Sequence, residues 1–211
     1  MSTLRREESM NRGFTLIEVT LASFVLAVGL LSAGLLAGQM MVGSNRSKYM
    51  SVASTLASEK LEDLNRWDVD DPQICVPTGS ATAGSLTSDV NQTTNCPQGA
   101  SANVSYNDDV YPNLSDGAST CPDGSAGCFA ETIKSVVGGN TTYSTTVHSP
   151  TGTVQTTSST TAPAAGMSFH RRWVIEPNSP ANGVRRVTVL ITLLNTAVRP
   201  PVTFQMSIVR P

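Results

Sequence analysis

Glu18 stands where a carboxylate is least at home. It abuts residues 19–45, a stretch with no charged side chain that carries Leu21, Phe24, Val25, Leu26, Val28, Leu30, Leu31, Leu35 and Leu36. An ionised carboxylate at mid-membrane depth costs on the order of 2.5–3.5 kcal/mol even on a lenient scale. Glu18 therefore either marks the interfacial edge of a membrane helix or meets a positive partner inside the apolar layer. The second set of chemistry-bearing residues is the four cysteines, Cys75, Cys96, Cys121 and Cys128, which lie in the polar part of the chain without a C-x-x-C pair. An even count in loop-like sequence reads as disulfides formed in an oxidising compartment. Three pairings exist, and Cys75 with Cys96 plus Cys121 with Cys128 closes the shortest loops. Zinc ligation lacks the short spacings it needs.

Other reactive side chains make no constellation. His148 and His170 are far apart, and there is no H-E-x-x-H, G-x-S-x-G or glycine-rich phosphate loop. No catalytic residue, metal or cofactor is expected, and the chain does not read as an enzyme. Asp68, Asp70 and Asp71, and again Asn107, Asp108 and Asp109, offer oxygens to calcium but lack the spacing of a calcium loop, and turn chemistry explains them. Arg171, Arg172, Trp173, Arg185 and Arg186, beside His170, form the one basic and aromatic cluster. It reads as a surface patch for DNA or an anionic surface, or as charges that keep strand edges from aggregating. A net charge of −2 without a long basic run argues against a nucleic-acid partner.

The elements that must position these residues begin with a helix. The uncharged run is longer than the about 20 residues that span a bilayer and too long for the roughly 7–15-residue core of a secretory signal. Arg5, Arg6 and Arg12 precede it, partly offset by Glu7 and Glu8, so the positive-inside tendency places the N-terminus in the cytoplasm and the body outside. Val52, Leu56, Leu61 and Leu64 continue at helical spacing, with Lys48, Glu59, Lys60, Glu62, Asp63 and Arg66 assigned to the wetter side. One helix over residues 15–66 would be roughly 75–80 Å long at its normal rise. Gly34 and Gly38 form a G-x-x-x-G pair that admits close helix approach, although glycine is common in membrane helices generally.

Beyond the helix, residues 67–166 turn polar and carry all four cysteines, with turn signals at Asp71-Pro72, Asp116-Gly117 and Asp123-Gly124. Short strands are expected over 102–106 and 142–147, and a mobile surface loop over 151–165, where little is apolar. Residues 167–211 hold three strand-like runs, 168–176, 185–194 and 202–209. Val187, Val189, Ile191 and Leu193 alternate on one face, as do Phe204, Met206 and Ile208. Their natural cover is the polar half of the long helix. With 211 residues there is room for one head and an appendage. The fold class is therefore α+β, a long N-terminal transmembrane helix on a small antiparallel β-sheet with a long disulfide-stapled loop.

Arg12-Gly13-Phe14-Thr15-Leu16-Ile17-Glu18-Val19 resembles the class III signal of type IV pilins and type II secretion pseudopilins. The resemblance implies a leader over residues 1–13, cleavage after Gly13 by prepilin peptidase, and N-methylation of the new terminus at Phe14. It implies a helix over 14–66 inserted first in the bacterial inner membrane, handled by the inner-membrane assembly platform, and then joined to other pilin subunits in a periplasmic and extracellular filament. In such a filament Glu18 meets a neighbouring subunit's Phe14 amine, so the buried charge becomes a registration device. Gly13 suits the peptidase because a side chain there would obstruct approach to the backbone. The chain departs from major pilins in having Leu35 where a helix-breaking proline commonly stands. Arg172-Trp173-Val174, Arg185-Arg186-Val187-Thr188-Val189 and a final apolar strand are similar to minor pilins of the pilus-modification class. A minor pilus subunit serving assembly, adhesion or motility is the implied role, a minor pseudopilin its alternative, and a tip adhesin or DNA-binding module a further one.

Overall fold

The computed structural model describes residues 15–94, 102–113, 121, 123–125, 127–137, 139–163, 167–194 and 201–211. It divides into two compact units, residues 1–45 and 46–211. Helix α1 covers Leu16–Arg66, close to the span expected from the sequence. No proline falls within it, and its first turn closes on Thr15, whose carbonyl accepts from the Glu18 and Val19 amides. Its apolar residues from Leu16 to Val42 are exposed, and the segment is long and apolar enough to cross a membrane.

In the second unit, the last turns of α1 bury Val52, Ala53, Leu56, Ala57, Leu61 and Leu64. They join one core with Phe169, Trp173, Ile175, Val187, Val189, Ile191 and Leu193. Those sheet residues come from β8 (Phe169–Pro177) and β9 (Arg185–Leu193), which with β10 (Thr203–Arg210) make the expected antiparallel meander. The apolar alternation on β9 is buried throughout, as period-two patterning requires. On β10, Phe204 and Ile208 are half-buried and Met206 is exposed, because this strand is a sheet edge. Arg210 closes the helix end, donating to the carbonyls of Leu64 and Trp67 at 3.0 and 2.9 Å.

The sheet is larger than expected. Strands β1 (Ala83–Gly84), β4 (Asn107–Asn113), β5 (Phe129–Val137), β6 (Asn140–His148) and β7 (Val154–Ser159) all join the meander, giving eight strands in the path β10-β9-β8-β4-β5-β6-β7 with β1 also on β8. A separate ribbon pairs β2 (Asn91–Thr94) with β3 (Ala102–Ser105). The tract expected as a mobile loop over 151–165 thus contains β7, which is fully exposed yet paired with β6 along its length. Hydroxyls replace apolar burial there. Thr132 meets Thr145 at 2.8 Å, Thr146 meets Thr156 at 3.2 Å and Ser144 meets Ser158 at 3.4 Å. β-Branched threonine suits an extended backbone, and cross-strand hydroxyl pairs are a recognised source of sheet stability.

Candidate functional site

The N-terminal site is described from Thr15 onward, and Gly13 and Phe14 lie outside the described residues. Glu18 is exposed in the first turn of α1, where a carboxylate is favoured by the helix dipole. Every side chain from Leu16 to Val42 that could fill an apolar environment is turned outward. This surface has only a membrane or other helices as a suitable surrounding.

In the head, Cys121 and Cys128 form a disulfide. Cys75 is disulfide-bonded as well, while Cys96 lies outside the described residues. Asp123, inside the short disulfide loop, accepts from the amide and hydroxyl of Ser125 and from the hydroxyls of Ser149 and Thr151. These hydrogen bonds hold its carboxyl well below the usual range. The loop is thereby fastened to the turn between β6 and β7.

The basic cluster read from the sequence does not assemble into one exposed patch. Strand alternation sends Arg171 and Trp173 inward, at 1% and 2% exposure, and Arg172 outward. Arg171 forks onto Asp108, with Nε and Nη2 at 2.7 and 3.0 Å, and its Nη1 reaches Glu131 at 3.3 Å. Arg172 pairs with Asp89 at 2.7 Å, Arg186 pairs with Glu176 at 2.7 and 2.9 Å, and Arg185 donates to the Val69 carbonyl at 2.6 Å. Each of these cations already has an acceptor. Four of the five acidic groups weighed for calcium, Asp68, Asp71, Asp108 and Asp109, are engaged in the same way. Asp71 and Asp68 accept backbone amides in the turn after α1. Asp109 meets His170 Nδ1 at 2.7 Å and Lys134 at 3.6 Å, and His170 Nε2 meets Asp89 at 2.8 Å.

What the sequence reading missed is a charged seam between α1 and the sheet. Glu59 and Lys60, assigned to the wet side, turn toward the strands. Lys60 Nζ lies 3.5 Å from Asp108 and 4.0 Å from the centre of the Trp173 ring. Glu59 Oε1 lies 2.8 Å from His148 Nε2. Burial favours neutral forms here. It pushes the Glu59 carboxyl up to about 7, with help from Glu131, raises Glu131, and lowers Lys60. Burial works against the charge on Asp108 too, but Arg171 and Lys60 prevail and hold that carboxyl low. The signal for Lys60 was present: it falls midway between Leu56 and Leu64 on a four-residue spacing, and so on the buried stripe.

The prokaryotic N-terminal methylation motif matches residues 9–34, the segment that runs from the leader into α1. No curated protein and no solved structure matches the chain. The motif implies processing by prepilin peptidase and assembly with pilin subunits, and the apolar helix behind it is consistent with a prepilin anchored in the inner membrane. A prepilin leader, a long apolar N-terminal helix and a helix-on-sheet head with a disulfide mark the chain as a type IV pilin-like protein of the family that includes pilins and pseudopilins.

Proposed function

We propose that the chain is a minor subunit of a type IV pilus, a structural protein and not an enzyme. In this reading prepilin peptidase cuts after Gly13, the new terminus is methylated at Phe14, and the helix carries the subunit from the inner membrane into the filament. Before assembly the protein is a single-pass membrane protein with its N-terminus in the cytoplasm. The observation that carries the reading is the methylation motif over residues 9–34 running into a helix whose apolar side chains from Leu16 to Val42 are exposed. Such a helix must be covered by lipid first and by neighbouring helices later. Glu18 then gains the Phe14 amine of a neighbouring subunit as its partner, and pairing replaces an uncompensated charge.

Mass spectrometry of the protein recovered from cells with active peptidase tests the processing route. The expected mature chain begins at methylated Phe14, and a chain that keeps its leader defeats the reading. A minor pseudopilin of a type II secretion system would use the same leader and helix. Deletion separates the two: loss of surface pili with secretion intact supports the pilus, and loss of secretion with pili intact supports the pseudopilus.

A further inference from the structure

We propose that Glu59 of α1, Glu131 of β5 and His148 of β6 bind one divalent transition-metal cation of the zinc class, clamping the helix to the sheet. The site lies wholly within the head and does not depend on how the N-terminal helix is used. One ligand atom from each residue lies within 4.8 Å of the others. Carboxylate and imidazole ligands sit about 2.0–2.2 Å from zinc, so small side-chain shifts, opening the short Glu59–His148 edge and closing the longer ones, would let that triangle surround an ion. The backbone favours the arrangement. Glu131 pairs with Thr146 in the β5–β6 ladder, so His148, two residues on, is its diagonal neighbour on the same face. Glu59 comes down on that pair from the helix, its Oε1 2.8 Å from His148 Nε2.

Two further observations point to a cation. The second carboxylate oxygen of Glu59, Oε2, is buried and accepts no hydrogen bond among the described residues, which is costly for an acidic oxygen. The seam also carries three carboxylates, Glu59, Asp108 and Glu131, against two basic side chains, Lys60 and Arg171, while Glu62 and Asp63 add negative potential along the helix. A cation bound between Glu59 and Glu131 would offset that excess. Arg171 need not block it: the guanidinium contacts Glu131 Oε2 only at 3.3 Å and would act as the outer partner that orients a ligating carboxylate. One imidazole with two carboxylates suits a cation of intermediate softness, whereas calcium prefers six to eight oxygens.

The test uses the full chain in detergent, stripped with a chelator and titrated with zinc ion by calorimetry at pH 7.5. One ion per chain is expected, with a higher thermal midpoint on binding and no comparable response to calcium. Glu59→Gln, which keeps the shape of the side chain, and His148→Gln should each weaken binding at least tenfold, while His170→Gln should not. X-ray absorption of the zinc-loaded wild type should show a nitrogen and oxygen shell with one imidazole. No saturable binding, undiminished binding in the Glu59 and His148 variants, or a shell lacking imidazole each overturns the proposal. The wild-type absorption result decides even if a variant fails to fold.

Discussion

Arg171 is a permanent cation at 1% exposure, and it is tolerated because Asp108 and Glu131 supply charged acceptors in fork geometry. Removing one member of such a buried set strands the others, at a cost of about 3–5 kcal/mol. Arg171→Met should therefore destabilise the head by that order in chemical denaturation, and Arg172→Met, whose partner Asp89 is half exposed, by under about 1 kcal/mol. Glu59 works in the opposite sense, because its folded-state carboxyl is pushed up to about 7 from 4.5. Between those values the folded chain holds more protons than the unfolded one, so its stability is greatest below the lower value and falls as pH rises toward neutrality. In chelator, denaturation between pH 5 and 7.5 should show this loss, and Glu59→Gln should recover part of it. Glu131 is raised as well and leaves a residual slope in the variant. At Gly84 the constraint is steric: φ is +77°, and an added Cβ would collide with the Trp173 carbonyl oxygen and meet Tyr106 at 2.8 Å. Gly84→Ala should lose several times the about 1 kcal/mol of an ordinary glycine substitution, since neither backbone nor ring can retreat.

Among the elements, the second half of α1 and the β8–β9–β10 meander are each other's cover. Leu56 is fully buried at their contact, and Leu56→Ala should cost about 2–5 kcal/mol by loss of transfer energy and cavity formation. Exposed β7 offers the contrast: its amides should exchange with solvent well before those of β9, which hydrogen exchange on the intact chain would show. The same contrast explains which elements were legible. Val187, Val189, Ile191 and Leu193 announce β9 because alternation and burial coincide, and the helix announces itself through an apolar run without proline. Strands β5, β6 and β7 carry threonines and serines on both faces, so no hydrophobic period marks them, and their pairing is settled by neighbours distant in sequence. The partners of the basic cluster were hidden for a related reason. Strand alternation puts Arg172 on the face opposite Arg171 and Trp173, and the acids that receive the arginines, Asp108 and Asp89, lie far away in the chain. Glu18, by contrast, was conspicuous, since a carboxylate against an uncharged run is visible without any fold.

On the proposed function the two units carry different tasks, and substitutions in one should leave the other intact. Among the described residues the buried core begins at Val52, in the second unit. Head stability and filament entry should therefore respond to different variants. Glu18→Ala removes a charge from an apolar segment, so membrane insertion should be retained or improved. Its loss should appear only when subunits assemble, because the neighbour's terminal amine then lacks its counter-charge. Sheared filaments from cells making Glu18→Ala should contain at least tenfold less of this subunit, at unchanged membrane levels and unchanged head disulfides. Gly13→Leu should stop earlier, leaving an uncut chain in the membrane, because the side chain obstructs the peptidase at the scissile backbone. The double variant should behave as Gly13→Leu alone, since processing creates the amine that Glu18 is proposed to meet. Normal incorporation of Glu18→Ala would sink the registration role while leaving the processing route standing, and an efficiently cut Gly13→Leu chain would sink the steric requirement for Gly13 while leaving the registration role standing.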